Sequence, residues 1–181
     1  IAAISLLSEL GLKMPQIQES FEKVKVAASR YNSEMVNGKE LIMNLAKGQN
    51  PIACSRVCDF IQHEPGTKTV VCMVDDYFDA KETSENIAWI FDIDFEFLND
   101  DSVKQIVLTG ARNADYHLRL LMAGIPEEKI VCCEKEVDAA DYVDILLSDK
   151  IYLLYDVYTL EYAEKVYQDL KKRLEEGGEK A

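Results

Sequence analysis

Four short apolar runs confine this chain to very few architectures. Residues 69–74 read Thr-Val-Val-Cys-Met-Val, 105–108 Gln-Ile-Val-Leu, 129–133 Lys-Ile-Val-Cys-Cys and 151–155 Ile-Tyr-Leu-Leu-Tyr. None alternates apolar with polar residues, so each strand must be covered on both faces, the habit of parallel sheets wrapped by helices. Helix-like pieces separate the runs, and strands that alternate with helices build an α/β layer structure. The expected fold class is α/β, a mostly parallel sheet with helices on both faces.

The intervening pieces carry their own punctuation. Apolar residues at Ile1, Ala2, Ile4, Leu6, Leu7 and Leu10 outline an opening helix that Gly11 stops, and Pro15 suits the first turn of a second helix carrying Ile17, Phe21 and Val24. Asn37-Gly38 predicts a hairpin turn between strands 33–36 and 39–45. Asn50-Pro51 starts a helix running to about Gln62. Thr109-Gly110 leads into a helix expected to turn Leu118, Leu121 and Met122 inward and to end at Gly124, with Asp115 and Arg119 as a surface ion pair at i, i+4. A short helix is expected near 137–143. Thr159 caps a last helix with Leu160, Ala163, Val166, Tyr167, Leu170 and Leu174 inward.

In open α/β sheets, ligands sit beyond the carboxyl ends of the strands. The segment following the run 69–74 holds Asp75, Asp76, Asp79, Glu82, Glu85, Asp92, Asp94, Glu96, Asp100 and Asp101 against one lysine, Lys81. It reads either as a solvated acidic loop or as a set of mounted carboxylates. The only tryptophan, Trp89, sits inside it in an apolar run ending at Asp92, Asp94 and Glu96, which favours mounting. Carboxylates so clustered could hold a divalent cation, but the spacing matches no EF-hand, and no metal site is assigned. One aspartate could instead orient a histidine supplied by a partner, because this chain offers no credible nucleophile of its own.

A net charge of −13 leaves no Lys/Arg surface for nucleic acid. There is no run of about 18 apolar residues and no basic-then-apolar leader, so neither a transmembrane segment nor secretion is expected, and the location is read as cytoplasmic. Cys54, Cys58, Cys72, Cys132 and Cys133 form no Cys-x-x-Cys pair and read as reduced thiols, the last two on opposite faces of a strand. His63 and His117 read as helix-end and surface residues. Neither a Gly-x-x-x-x-Gly-Lys-Ser/Thr loop nor a Gly-x-Gly-x-x-Gly loop occurs, so the main phosphate site of any nucleotide lies elsewhere.

Several motifs together resemble the C-terminal domain of Mur ligases of the MurT type. They are Asn50-Pro51; Asp75-Asp76-Tyr77-Phe78-Asp79-Ala80; Asn86-Ile87-Ala88-Trp89-Ile90-Phe91-Asp92-Ile93-Asp94-Phe95-Glu96; Thr109-Gly110-Ala111-Arg112 with Asp115, Arg119-Leu120 and Ala123-Gly124; and Tyr158-Thr159. The resemblance implies a Rossmann-like Mur ligase C-terminal domain over residues 26–181, with residues 1–25 as the helical end of a preceding ATPase domain. It implies a subunit that, with a GatD-type glutaminase, amidates the α-carboxyl of D-glutamate in lipid II. ATP and Mg²⁺ would be held mainly by the upstream domain, and the isolated segment would be catalytically silent. Asp79, with Asp92 as the alternative, would complete the partner's glutaminase triad. Asn50, Asp76, Tyr77, Arg112, Tyr158 and Thr159 would contact substrate or nucleotide. The chain departs from the pattern in four extra residues before Trp89, in Ala80 for a glycine, and in Asn86 where an aspartate is expected. Those departures keep open an alternative, a non-catalytic Mur-like docking module.

Overall fold

The structure is a computed structural model that describes residues 2–23, 30–47, 49–74 and 86–178. Helices α1 (Ala2–Glu9) and α2 (Met14–Lys23) come first, joined through Gly11 at φ +88°. The apolar stripe expected of α1 exists in sequence, yet α1 buries none of its residues and α2 buries only Ile17.

Strands β1 (Tyr31–Val36) and β2 (Lys39–Leu45) form the expected antiparallel hairpin. Both turn residues take positive φ, Asn37 at 46° and Gly38 at 79°, which an Asn-Gly pair tolerates at little cost. From there the chain alternates: α3 (Pro51–His63), β3 (Lys68–Met73), α4 (Ala88–Phe91), a 3-10 turn (Phe95–Leu98), β4 (Val103–Thr109), α5 (Asn113–Met122), β5 (Ile130–Cys133), α6 (Ala139–Tyr142), β6 (Lys150–Tyr155) and α7 (Leu160–Gly178). The six strands lie in the order β1-β2-β6-β3-β4-β5, and every pairing after the hairpin is parallel. The last strand of the chain thus occupies the middle of the sheet, between β2 and β3.

Strand residues alternate between two cores. Val70 and Cys72 join Ile106, Leu108, Tyr152 and Leu154 beneath α3, α4 and α5. Val71 and Met73 join Val107, Ile151, Leu153 and Tyr155 beneath α6 and α7. Because both sets are buried, the strands read as unbroken apolar runs, each large aliphatic contributing roughly 1.5–3 kcal/mol. The α7 residues expected inward (Leu160, Ala163, Val166, Tyr167, Leu170 and Leu174) all pack on the second core.

Helix α5 corrects the expected register. It buries Tyr116, Arg119 and Leu120, whereas Leu118, Leu121 and Met122 are 53%, 39% and 64% exposed. The Asp115–Arg119 pair does not form either: Asp115 lies 3.9 Å from Arg112, and Arg119 reaches across to Glu96. Cys54, Cys58 and Cys72 are buried free thiols, and the hydrogen bond between the Cys54 and Cys58 side chains, with burial, pushes Cys58 up. Cys132 is exposed and Cys133 buried, as expected of neighbours on one strand. His63 closes α3, its Nδ1 2.8 Å from the Asp59 carbonyl, and His117 lies 3.0 Å from Glu127.

Candidate functional site

Parallel strands place the loops after β2, β3, β4 and β6 on one edge of the sheet. The chain leaves β2 toward α3 on one face, but leaves β6 toward α7 on the opposite face. Outgoing connections that part in this way open a crevice at the strand ends. A cavity of about 320 Å³ lies there, lined by Lys47, Gln49, Asn50, Asp156, Val157 and Tyr158.

Each wall is held for a local reason. Lys47 sits at φ +53°, and its carbonyl accepts from Asn50 N at 2.8 Å, closing a tight turn before α3. Asn50 is the N-cap, its Oδ1 accepting from Ala53 N at 3.0 Å, and Pro51 follows at the first helical position. Opposite, Asp156 is buried, and its backbone N–H donates to Thr159 Oγ1 at 2.9 Å. The Thr159 hydroxyl in turn donates to the Met73 carbonyl at 2.6 Å, tying the β6–α7 turn to the end of β3. Thr159 is therefore occupied inside the fold, and what it lends the crevice is position. Tyr158 is exposed on the rim.

Arg112 does not share the crevice. It precedes α5 beyond β4, two strands from β6, where Gly110 takes φ +88° and the Thr109 hydroxyl donates to the Cys72 carbonyl at 3.0 Å. Only glycine adopts that φ without strain, which explains Thr-Gly at this strand end.

The third cluster is a notch of about 190 Å³ formed by Ile52, Ser55 and Arg56 of α3 with Asp92, Asp94 and Phe97. Within the described part of the acidic segment, residues 86–101, the expected mounting is present. Ile90, Ile93, Phe95 and Leu98 are fully buried, and Trp89 packs edge-on against Tyr116 with ring centroids 6.1 Å apart. Arg119, itself only 6% exposed, donates from Nη2 to the Ile93 carbonyl at 2.7 Å and to both Glu96 oxygens at 2.9 and 2.7 Å. Those hydrogen bonds hold the Glu96 carboxyl below the ordinary carboxylate value, against the opposing effect of burial. Asn86 uses its Oδ1 to accept from Ala88 N at 3.0 Å, opening α4, a task an aspartate would perform equally well. Asp76, Tyr77 and Asp79 lie outside the described residues.

Among the expected residues, the structure thus brings Asn50 and Tyr158 together, sets Thr159 behind them, and keeps Arg112 and Asp92 apart. Lys47 and Gln49 carry no sequence signal of a contact. Asp156 carried a signal, being the first residue beyond an apolar strand, whereas nothing local marks Lys47. Among the described residues, no group of three His, Cys, Asp or Glu side chains could hold a metal ion. A cation, an amide, a phenol and a carboxylate around one crevice suit a polyhydroxylated or amide-bearing ligand. They do not make a triphosphate cradle.

Fold and site together define an open α/β domain that offers ligands a crevice at the carboxyl edge of its sheet. Two crystal structures of MurF from Acinetobacter baumannii share the fold, at TM-scores of 0.66 and 0.62 and 16% sequence identity, each covering 94% of this chain and 36% of that one. Residues 47–160 match the MurT ligase C-terminal family, and the chain belongs to it. The lipid II isoglutaminyl synthase (glutamine-hydrolysing) subunit MurT of Staphylococcus aureus strain COL is 33% identical over 132 residues, 72% of this chain. Its counterpart in Streptococcus pneumoniae R6 is 28% identical over 131 residues. The chain spans 29% and 28% of the length of these relatives. No helix among the described residues is long and apolar enough to cross a membrane.

Proposed function

We propose that this chain is the C-terminal part of the ligase subunit of a lipid II isoglutaminyl synthase. The observation that carries the reading is where the family match falls. Its 47–160 span begins at Lys47 and ends just past Thr159, running from one wall of the crevice to the other. In this reading residues 1–25 close a preceding ATPase domain and residues 26–181 form the third domain. The intact subunit activates the α-carboxyl of D-glutamate in lipid II with ATP, at the cytoplasmic side. Ammonia, released from glutamine by a GatD-type glutaminase, then displaces the phosphate.

Within that reaction the chain's own work is to bind and to orient. Asn50 and Tyr158, with Asp156 and Lys47 beside them, line the crevice against nucleotide or substrate, and Thr159 fixes the loop that carries Tyr158. Arg112, Asp76 and Tyr77 are assigned to further contacts with substrate or nucleotide. No step is assigned to Mg²⁺, since among the described residues no cluster would hold it. For the partner's triad acid we assign Asp79, with Asp92 as the alternative. A carboxylate there holds the partner's imidazole in the right tautomer and stabilises the imidazolium that forms.

The second reading, a docking module without a catalytic contribution, draws on Asn86 standing where the family pattern has an acid. One experiment separates the two. The full-length protein is co-purified with a class I glutaminase, and glutamine hydrolysis is measured for wild type, Asp79→Asn and Asp92→Asn. Loss of turnover in one variant with the complex intact supports the ligase subunit. Turnover unchanged in both supports the docking module.

A further inference from the structure

One peptide plane in the acidic segment is gripped at both ends by different helices. Its carbonyl, that of Ile93, accepts from Arg119 Nη2 of α5 at 2.7 Å. Its N–H, that of Asp94, donates to Ser55 Oγ of α3 at 2.8 Å. The plane joins Ile93 to Asp94; Asp94 and Asp92, the residue just before Ile93, both line the notch beside α3.

A buried guanidinium is an expensive way to fill space. Taking Arg119 to 6% exposure costs desolvation that a leucine at the same position would avoid. What a leucine cannot do is hold a main-chain carbonyl and a carboxylate at once, as Nη2 of the guanidinium does here. Arg119 does both and lies against the Phe95 ring, 5.9 Å from its centroid. A surface loop with no task needs neither grip.

We propose that Arg119 is the positioning residue for Asp92. With Ser55 it locks the 93–94 peptide, so that the neighbouring carboxylate meets the partner's imidazole without first having to be ordered. This rests on the alternative assignment above, in which Asp92 rather than Asp79 serves the partner's glutaminase triad. It makes Arg119 a residue of glutamine hydrolysis rather than of amide synthesis.

The test uses the complex of the full-length ligase subunit with its glutaminase. Two activities are read on each preparation: glutamine hydrolysis, and amidation of lipid II driven by ammonium chloride, which bypasses the glutaminase. Arg119→Lys keeps the charge but ends one bond short of the Nη2 position that meets the Ile93 carbonyl and Glu96. It is expected to slow glutamine hydrolysis roughly ten- to a hundredfold, as misplacement by about 1 Å does. Ammonia-driven amidation should stay within about twofold of wild type. Combined with Asp92→Asn, it should add nothing to the loss that Asp92→Asn causes alone, because both remove the same contribution. Parallel loss of both activities, wild-type hydrolysis, or additive losses in the double variant would each overturn the inference. Wild-type hydrolysis in Asp92→Asn would overturn the underlying reading and the inference with it, and it shows in a variant that leaves Arg119 untouched. If Arg119→Lys does not fold, Glu96→Gln loosens the guanidinium from the rim, and a smaller but equally selective loss is expected. Absence of that selectivity overturns the proposal.

Discussion

Replacing Thr159 by valine removes one hydroxyl and almost nothing else, so its effect can be worked from the bonds that hydroxyl makes. Thr159 is 4% exposed, donates to the Met73 carbonyl at 2.6 Å and accepts from Asp156 N at 2.9 Å. Valine has the same shape and leaves no cavity. Two buried main-chain groups lose their better partner, and leaving such a group unsatisfied costs about 1–3 kcal/mol. The two orphans keep a longer bond to each other, Asp156 N to Met73 O at 3.3 Å, which offsets part of that cost. The expected loss is about 1–3 kcal/mol, or roughly 3–10 °C in Tm for a chain of this size. Urea unfolding at equilibrium reads the first number. Hydrogen exchange at the Asp156 amide reads where the loss falls, at about tenfold faster exchange per 1.4 kcal/mol of local stability. A midpoint within about 0.5 kcal/mol of wild type with unchanged exchange at Asp156 would refute the reasoning. Thr159 would then not be gripping β3.

Three further outcomes follow from the structure. Leu120→Ala should cost about 2–5 kcal/mol while Leu118→Ser stays within about 0.5 kcal/mol, measured by urea midpoints, because the first side chain is buried and the second 53% exposed. Glu96 has a folded pKa below its unfolded value, so its contribution is present above the ordinary carboxylate range and disappears as pH falls through the lowered value. Glu96→Gln should therefore flatten the acid limb of a stability–pH curve, by less than about 1 kcal/mol since the side chain is 56% exposed. An aromatic disulfide reagent should titrate one thiol, Cys132, in the native protein and the other four only after denaturation, followed by absorbance.

The parts of the fold that sequence revealed are those with local causes. Asn37-Gly38 can hardly be anything but a hairpin turn, and Asn50-Pro51 announces a helix start through a cap and a missing N–H. Unbroken apolar runs demanded coverage on both faces, which the two cores supply for β3, β4 and β6, whereas the edge strand β5 buries only Cys133. Helix α5 was misjudged because hydropathy favours Leu118, Leu121 and Met122, whereas the buried face is held by a tyrosine, an arginine and Leu120. An arginine inside becomes intelligible only once Glu96 and the Ile93 carbonyl are known to lie beside it. Those partners are distant in sequence, where no spacing rule reaches. Likewise the crevice loops could be assigned to one edge, but the pairing of the β2 loop with the β6 loop depends on strand order. Lys47 at positive φ has no sequence signature at all.

That strand order governs how the polypeptide comes into being. While the ribosome is still extending the chain, β2 and β3 are both made before residues 150–155, the strand that lies between them in the native sheet. Until those emerge, the nascent chain carries two half-sheets with raw inner edges, the kind of surface that chaperones shield and that aggregates when they do not. The crevice is then born in a single late event, when the final strand slides home. Termination between Cys133 and Lys150 would leave two fragments of a sheet without the strand that joins them.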